Sequence, residues 1–112
     1  MTTEPDHTRL LSVDYVGAYY MRSTHILTVF VCGVTADTTT NIRIEEVPWP
    51  GVLKFRLVGE IPVWAGFKFY TASYTKEIMD LPDPALPGSI ILMEDEEKSG
   101  GQPVTVKFYG LG

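Results

Sequence analysis

A chain of 112 residues, 45% hydrophobic and 21% charged, has the composition of one folded domain able to bury a core. Its net charge of -5 argues against nonspecific binding to nucleic acid and against docking on anionic membranes, both of which call for a basic face. A single cysteine, Cys32, excludes an internal disulfide, and with only His7 and His25 beside it a zinc site lacks ligands.

The first residues, MTTEPDHTR, are polar and carry no apolar core of a signal peptide. Residues 1–9 are expected to form a flexible tail, and residues 10–112 one domain. The longest apolar run, Ile26 to Val34, falls far short of the roughly 20 residues of a membrane helix. With the unpaired cysteine, this sets the expectation of a reducing compartment, the cytoplasm.

Strand signals begin near Leu10, where Leu11, Val13 and Tyr15 alternate with Ser12 and Asp14. Gly17 interrupts that pattern and predicts a bulge. Tyr19, Tyr20 and Met21 lead through the polar turn Arg22-Ser23-Thr24 into His25–Thr35, HILTVFVCGVT. This is the most apolar stretch of the chain. Ile26, Phe30, Cys32 and Val34 fall on one face, and Leu27, Val29 and Val31 on the other. Apolar character on both faces predicts a central strand covered on each side, with Cys32 a small buried hydrophobe.

Ile42 and Ile44 alternate with Arg43 and Glu45, and Leu53, Phe55 and Leu57 with Lys54 and Arg56. Between them Pro50-Gly51 suits the centre of a type II turn, which predicts an antiparallel hairpin with a wet outer face and Glu45 opposite Lys54 or Arg56. A weak echo relates Val47–Phe55 to Ile61–Phe69, each with a proline, a tryptophan, a glycine and a Lys-Phe strand entry. Phe67–Tyr74 predicts the next strand, Lys76–Leu81 a helical turn, and the proline-rich Asp80–Gly88 a connection. Ser89–Met93 predicts a short buried strand and Glu94–Gln102 an exposed acidic turn. Val104, Val106 and Phe108 mark the last strand.

About seven to eight strands at this spacing predict an all-β, single-domain antiparallel β-sandwich, with a small closed β-barrel as the alternative.

Chemistry-bearing groups are sparse. Ser23 and Thr24 with His25 and Asp14 or Asp37 allow a triad to be drawn, but no Gly-x-Ser-x-Gly elbow accompanies them. The acidic run Glu94–Glu97 lacks calcium-loop spacing. Pro84-Ala85-Leu86-Pro87 fits a PxxP pattern without an adjacent basic residue. No catalytic, metal or cofactor-binding residue is assigned. The aromatics are more informative: Trp49 between two prolines, Trp64 in a second turn, and Tyr70 and Tyr74 on one strand face suit a binding surface. The expected function is a non-catalytic binding module that engages a protein partner or self-associates through these aromatics. The alternative is a small barrel whose aromatic-lined pocket binds or converts a small apolar molecule, with Tyr15, Tyr19, Tyr20, Tyr70 and His25 as polar handles.

Overall fold

A computed structural model of the chain describes residues 7–50, 52–79, 90–97 and 100–110. Eight strands are present: β1 (Thr8–Leu10), β2 (Tyr15–Met21), β3 (Ile26–Ala36), β4 (Thr40–Val47), β5 (Lys54–Glu60), β6 (Phe67–Glu77), β7 (Ile90–Glu94) and β8 (Gln102–Tyr109). They form one mixed sheet curled into a half-barrel, in the order β1-β5-β7-β8-β2-β3-β6, with β4 on β5. Val58 and Glu60 pair with both β1 and β4, while Lys54 and Arg56 pair with both β4 and β7. Strand β4 therefore takes one edge of β5, and β1 and β7 share the other.

The all-β class and the strand number follow the sequence pattern. The antiparallel sandwich does not: β2 pairs β8 in parallel, and β5 pairs β7 in parallel. Each parallel pair joins segments far apart in the chain, so no local turn signal marks it.

Strand β3 is an interior strand, one in from the β6 edge, flanked by β6 along its length and by β2 from Ile26 to Cys32. Its inner face is dry, with Leu27 and Val29 fully buried and Val31 nearly so. They pack with Ala18, Tyr20, Phe55, Leu57, Tyr70, Ile91, Met93, Val104 and Val106 in one core. Its other face, Ile26, Phe30, Cys32 and Val34, is only half-buried, because among the described residues no second layer covers it. That corrects the expectation of cover on each side, and Cys32 is half-buried rather than enclosed.

The hairpin forms as expected, with Glu45 opposite Arg56 and 2.8 Å from its guanidinium. Gly51, and with it the type II turn, lies outside the described residues, as do the connection 80–89 and its PxxP stretch. Thr8 and Arg9 pair with β5, so the ladder starts inside the stretch expected as a tail. Residues 11–14 carry the alternation expected of a strand yet bridge β1 and β2. Lys76 and Glu77 extend β6 instead of opening a helical turn. The acidic turn is not wholly exposed: Asp95 is buried, accepting hydrogen bonds from the Gln102 side chain at 2.9 Å and the Glu97 backbone at 2.8 Å.

The outermost strands β4 and β6 are tied across the opening by side chains. Lys76 lies 2.6 Å from Glu46, and Lys68 donates to the Thr39 carbonyl at 2.6 Å.

Two glycines in mid-strand make room for rings. Gly17 pairs with Phe30 without a register shift, so it is not a bulge. A β-carbon there would stand 2.5 Å from the Phe30 ring, which covers the glycine. Gly33 does the same on the inner face, where a β-carbon would meet the Ser12 carbonyl at 2.8 Å and the Tyr70 hydroxyl at 3.0 Å. Gly33→Ala therefore displaces either backbone or the Tyr70–Ser12 hydrogen bond. It should destabilise the fold by about 1–3 kcal/mol in urea denaturation; an unchanged midpoint would show that Tyr70 moves aside freely.

Candidate functional site

Residues opposite one another in a ladder share a face. The registers of β8, β2, β3 and β6 therefore set the outer face in rows. Tyr109, Met21, Ile26 and Glu77 form one; Lys107, Tyr19, Thr28 and Thr75 the next. Gly17, Phe30 and Ser73 follow, then Tyr15, Cys32 and Thr71, then Val34 and Phe69. Rings run across it: Tyr15–Phe30 at 5.6 Å, Tyr19–Phe30 at 6.3 Å and Tyr19–Tyr109 at 6.1 Å between centroids. Phe67 and Phe69 continue it at 71% and 88% exposure.

A groove of about 570 Å³ opens between β2 and β8. Their ladder covers only Ala18–Met21 with Val106–Tyr109. Beyond it the strands part, and Tyr15, Gly17, Phe30, Pro103 and Thr105 line the gap, with Lys107 and Tyr109 at its other end. A second groove of about 570 Å³ runs beside β1 under Pro62, Val63 and Trp64.

The four aromatics expected to form one surface are dispersed. Tyr70 is buried on the inner face and donates to the Ser12 carbonyl. Burial, and then the charges of Asp14 and Asp95, push its phenol well above the usual tyrosine range. Tyr74 also faces inward, its ring 5.3 Å from Phe55 and its hydroxyl 3.4 Å from Glu46. Trp49 lies half-exposed at the start of β5, and its ring lies 3.8 Å from the Lys54 ammonium. Trp64 lies past the other end of β5, roughly 20 Å away along the strand, against Phe67 at 6.0 Å. Only Trp64 borders the outer face. Phe67, Phe69 and Tyr109 are not among the residues the sequence singles out for binding, and Tyr15 and Tyr19 enter there only as polar handles of the alternative pocket. Their spacing at every second residue is the available signal, but apolar residues on both faces of β3 predict cover on both.

Lys54, expected on the wet side of the hairpin, is buried and held 3.3 Å from Glu94. The Trp49 ring covers the Lys54 ammonium. Glu45 is held below the usual carboxylate range, chiefly by its hydrogen bond from Arg43, and Lys76 is raised by its bond to Glu46.

The triad residues are not assembled. His25 takes a left-handed turn conformation, φ 59°, with its ring 3.3 Å from the Tyr20 hydroxyl. Asp14 bonds the Cys32 carbonyl through its backbone, seven residues along β3 from His25, roughly 23 Å. Among the described residues no three of His, Cys, Asp and Glu gather as a metal site, and no helix is long and apolar enough to cross a membrane. Comparison with protein-family models, curated proteins and solved structures finds no match.

Trp49→Ala should lower stability by about 0.5–2 kcal/mol, since the buried Lys54 loses its aromatic cover. Thermal melts that coincide with the wild type would show the ring contributes nothing there. Cys32, half-buried on the outer face, should label stoichiometrically with a small thiol reagent without denaturant. Labelling that waits for unfolding would return it to the core.

Proposed function

We propose that the chain is a non-catalytic binding module that engages protein through the outer aromatic face of β8, β2, β3 and β6. One observation carries this reading: Phe67 and Phe69, at 71% and 88% exposure, continue a ring-lined face that no other part of the described chain covers. Contiguous exposed aromatics on a folded domain mark interaction surfaces, whereas scattered single ones do not. The titratable groups that could serve catalysis are held apart or engaged in structure, as His25, Asp14 and Tyr70 illustrate. The unpaired Cys32 suits a reducing compartment such as the cytoplasm.

The groove between β2 and β8 favours a second reading, a small flat apolar ligand held among Tyr15, Tyr19, Tyr109 and Phe30. The two readings differ in what they ask of Phe67 and Phe69, which lie outside that groove.

The paired change Phe67→Ser with Phe69→Ser removes exposed rings only, so the melting temperature should stay within about 4 °C of the wild type. Association, read by sedimentation and by affinity capture with both proteins in parallel, should be lost. Capture and self-association equal to the wild type would refute the protein-binding face. A thermal shift with small aromatic ligands that survives this change and disappears in Tyr15→Ala would favour the groove.

A further inference from the structure

The outer face is nearly devoid of charge. Of the outward positions on its four strands, only Lys107 on β8 and Glu77 on β6 are ionised. Both are exposed, and neither side chain forms an ion pair with another described residue. They lie on the two flanking strands, one row apart, because Lys107 pairs with Tyr19 and Glu77 with Ile26, the partner of Met21. The groove lies on the same side as Lys107, between β8 and β2. The most exposed ring, Phe69, lies on the same side as Glu77, on β6.

A twofold axis parallel to the strands, between β2 and β3, exchanges these two sides. It lays β8 over the partner's β6 and β2 over the partner's β3. Because the axis preserves height along the strands, Lys107 stands one row, about 7 Å, from the partner's Glu77, within reach of the two long side chains, and the partner's Phe69 comes one row beyond Tyr15, at the end of the groove edged by Pro103 and Thr105. Symmetry repeats each contact. Two opposite charges within side-chain reach and a ring beside a hollow are thus brought together, twice each, in a single operation, as an isologous interface requires.

Resting on the binding-face reading above, we infer that the partner is a second copy of this chain, packed face to face through β8, β2, β3 and β6. The face has adequate size. Four strands spaced about 4.8 Å apart and 7 to 11 residues long for β2, β3 and β6 span roughly 19 by 23–36 Å in plan. With projecting side chains that approaches the ~800 Å² per partner of a standard interface. The packing is that of aligned sheets about 10 Å apart, with rings in the middle and ion pairs at the rim.

Sedimentation equilibrium of the full chain over micromolar to millimolar concentration should show a monomer–dimer equilibrium. Phe69→Ser should raise the dissociation constant about 30-fold as an anchor leaves its hollow. Lys107→Glu should raise it about tenfold, since it sets two like-charged pairs at the rim. Lys107→Glu combined with Glu77→Lys should restore wild-type affinity, an outcome that misfolding cannot imitate. A monomer throughout, or a dimer indifferent to Phe69→Ser and Lys107→Glu, would overturn the inference. A monomer whose capture of another protein still depends on Phe69 would overturn the dimer and leave the binding face standing. A monomer with no Phe69-dependent capture would remove both.

Discussion

The register of β3 is the constraint on which the sheet depends. It pairs with β6 from Ile26↔Glu77 to Ala36↔Phe67 and with β2 from Met21↔Ile26 to Tyr15↔Cys32. A one-residue slip turns every side chain to the opposite face. In most strands hydrophobicity forbids that slip, because polar residues would enter the core. Here both faces are apolar, and hydrophobicity alone leaves the choice nearly open. Shape decides instead. Phe30 needs an empty place across the ladder, which Gly17 supplies on the outer face. Tyr70 needs one on the inner face, which Gly33 supplies. With either pairing displaced, a ring would meet a side chain where the native register has a hydrogen atom. The two glycines weaken the strands they occupy through chain entropy, and the rings that cover them recover packing area while fixing parity.

A second constraint sits at the far side of the sheet, where β5 and β7 run parallel. Parallel neighbours have no tight turn to align them. The chain places buried polar groups there instead. Lys54 on β5 reaches Glu94 at the end of β7, under the Trp49 ring. Asp95, next in sequence, holds Gln102 at the start of β8 and the backbone of Glu97. A buried ion pair contributes little net stability, because desolvation offsets much of the attraction, but leaving either partner alone is costly. Such a pair therefore discriminates among alignments: β7 can shift against β5 only by orphaning Lys54. The half-buried pair of Arg43 with Glu45 lacks this leverage, since water reaches both partners after a shift.

How much was legible in the sequence follows from the range of the interactions. The β4–β5 hairpin could be read because its determinants are local: alternation on both sides of a proline-glycine turn. The all-β class could be read from β-branched and aromatic runs between breakers. The parallel pairs could not, because Ala18 and Val106 lie at opposite ends of the chain and nothing in either segment names the other. Gly17 reads as a bulge in the sequence because its partner, Phe30, is not visible there. Lys54 reads as solvent-facing because alternation assigns a face without saying what covers it. The site fared likewise. Aromatic content pointed to the right residue class, but Tyr70 and Tyr74 face the core while Phe67 and Phe69, one residue out of phase, face solvent. Parity within β6 decides between them, and that parity comes from the pairing of Gly33 with Tyr70.

The outer face is therefore assembled from pieces that acquire meaning only together. β2 and β3 bring Tyr15, Tyr19 and Phe30 from one contiguous stretch, while β6 and β8 arrive from elsewhere in the sequence. The groove exists because β8 is held by two neighbours over different halves of its length: β7 pairs with Gln102–Thr105, and β2 with Val106–Tyr109. A strand shared in this way bends from one neighbour to the other and leaves a gap beside the half that has only one. The same sharing makes the eight strands a single sheet, since β8 joins the β4-β5-β7 side to the β2-β3-β6 side. The feature that closes the fold and the feature that opens a binding surface thus have one physical origin, the division of β8 between two partners.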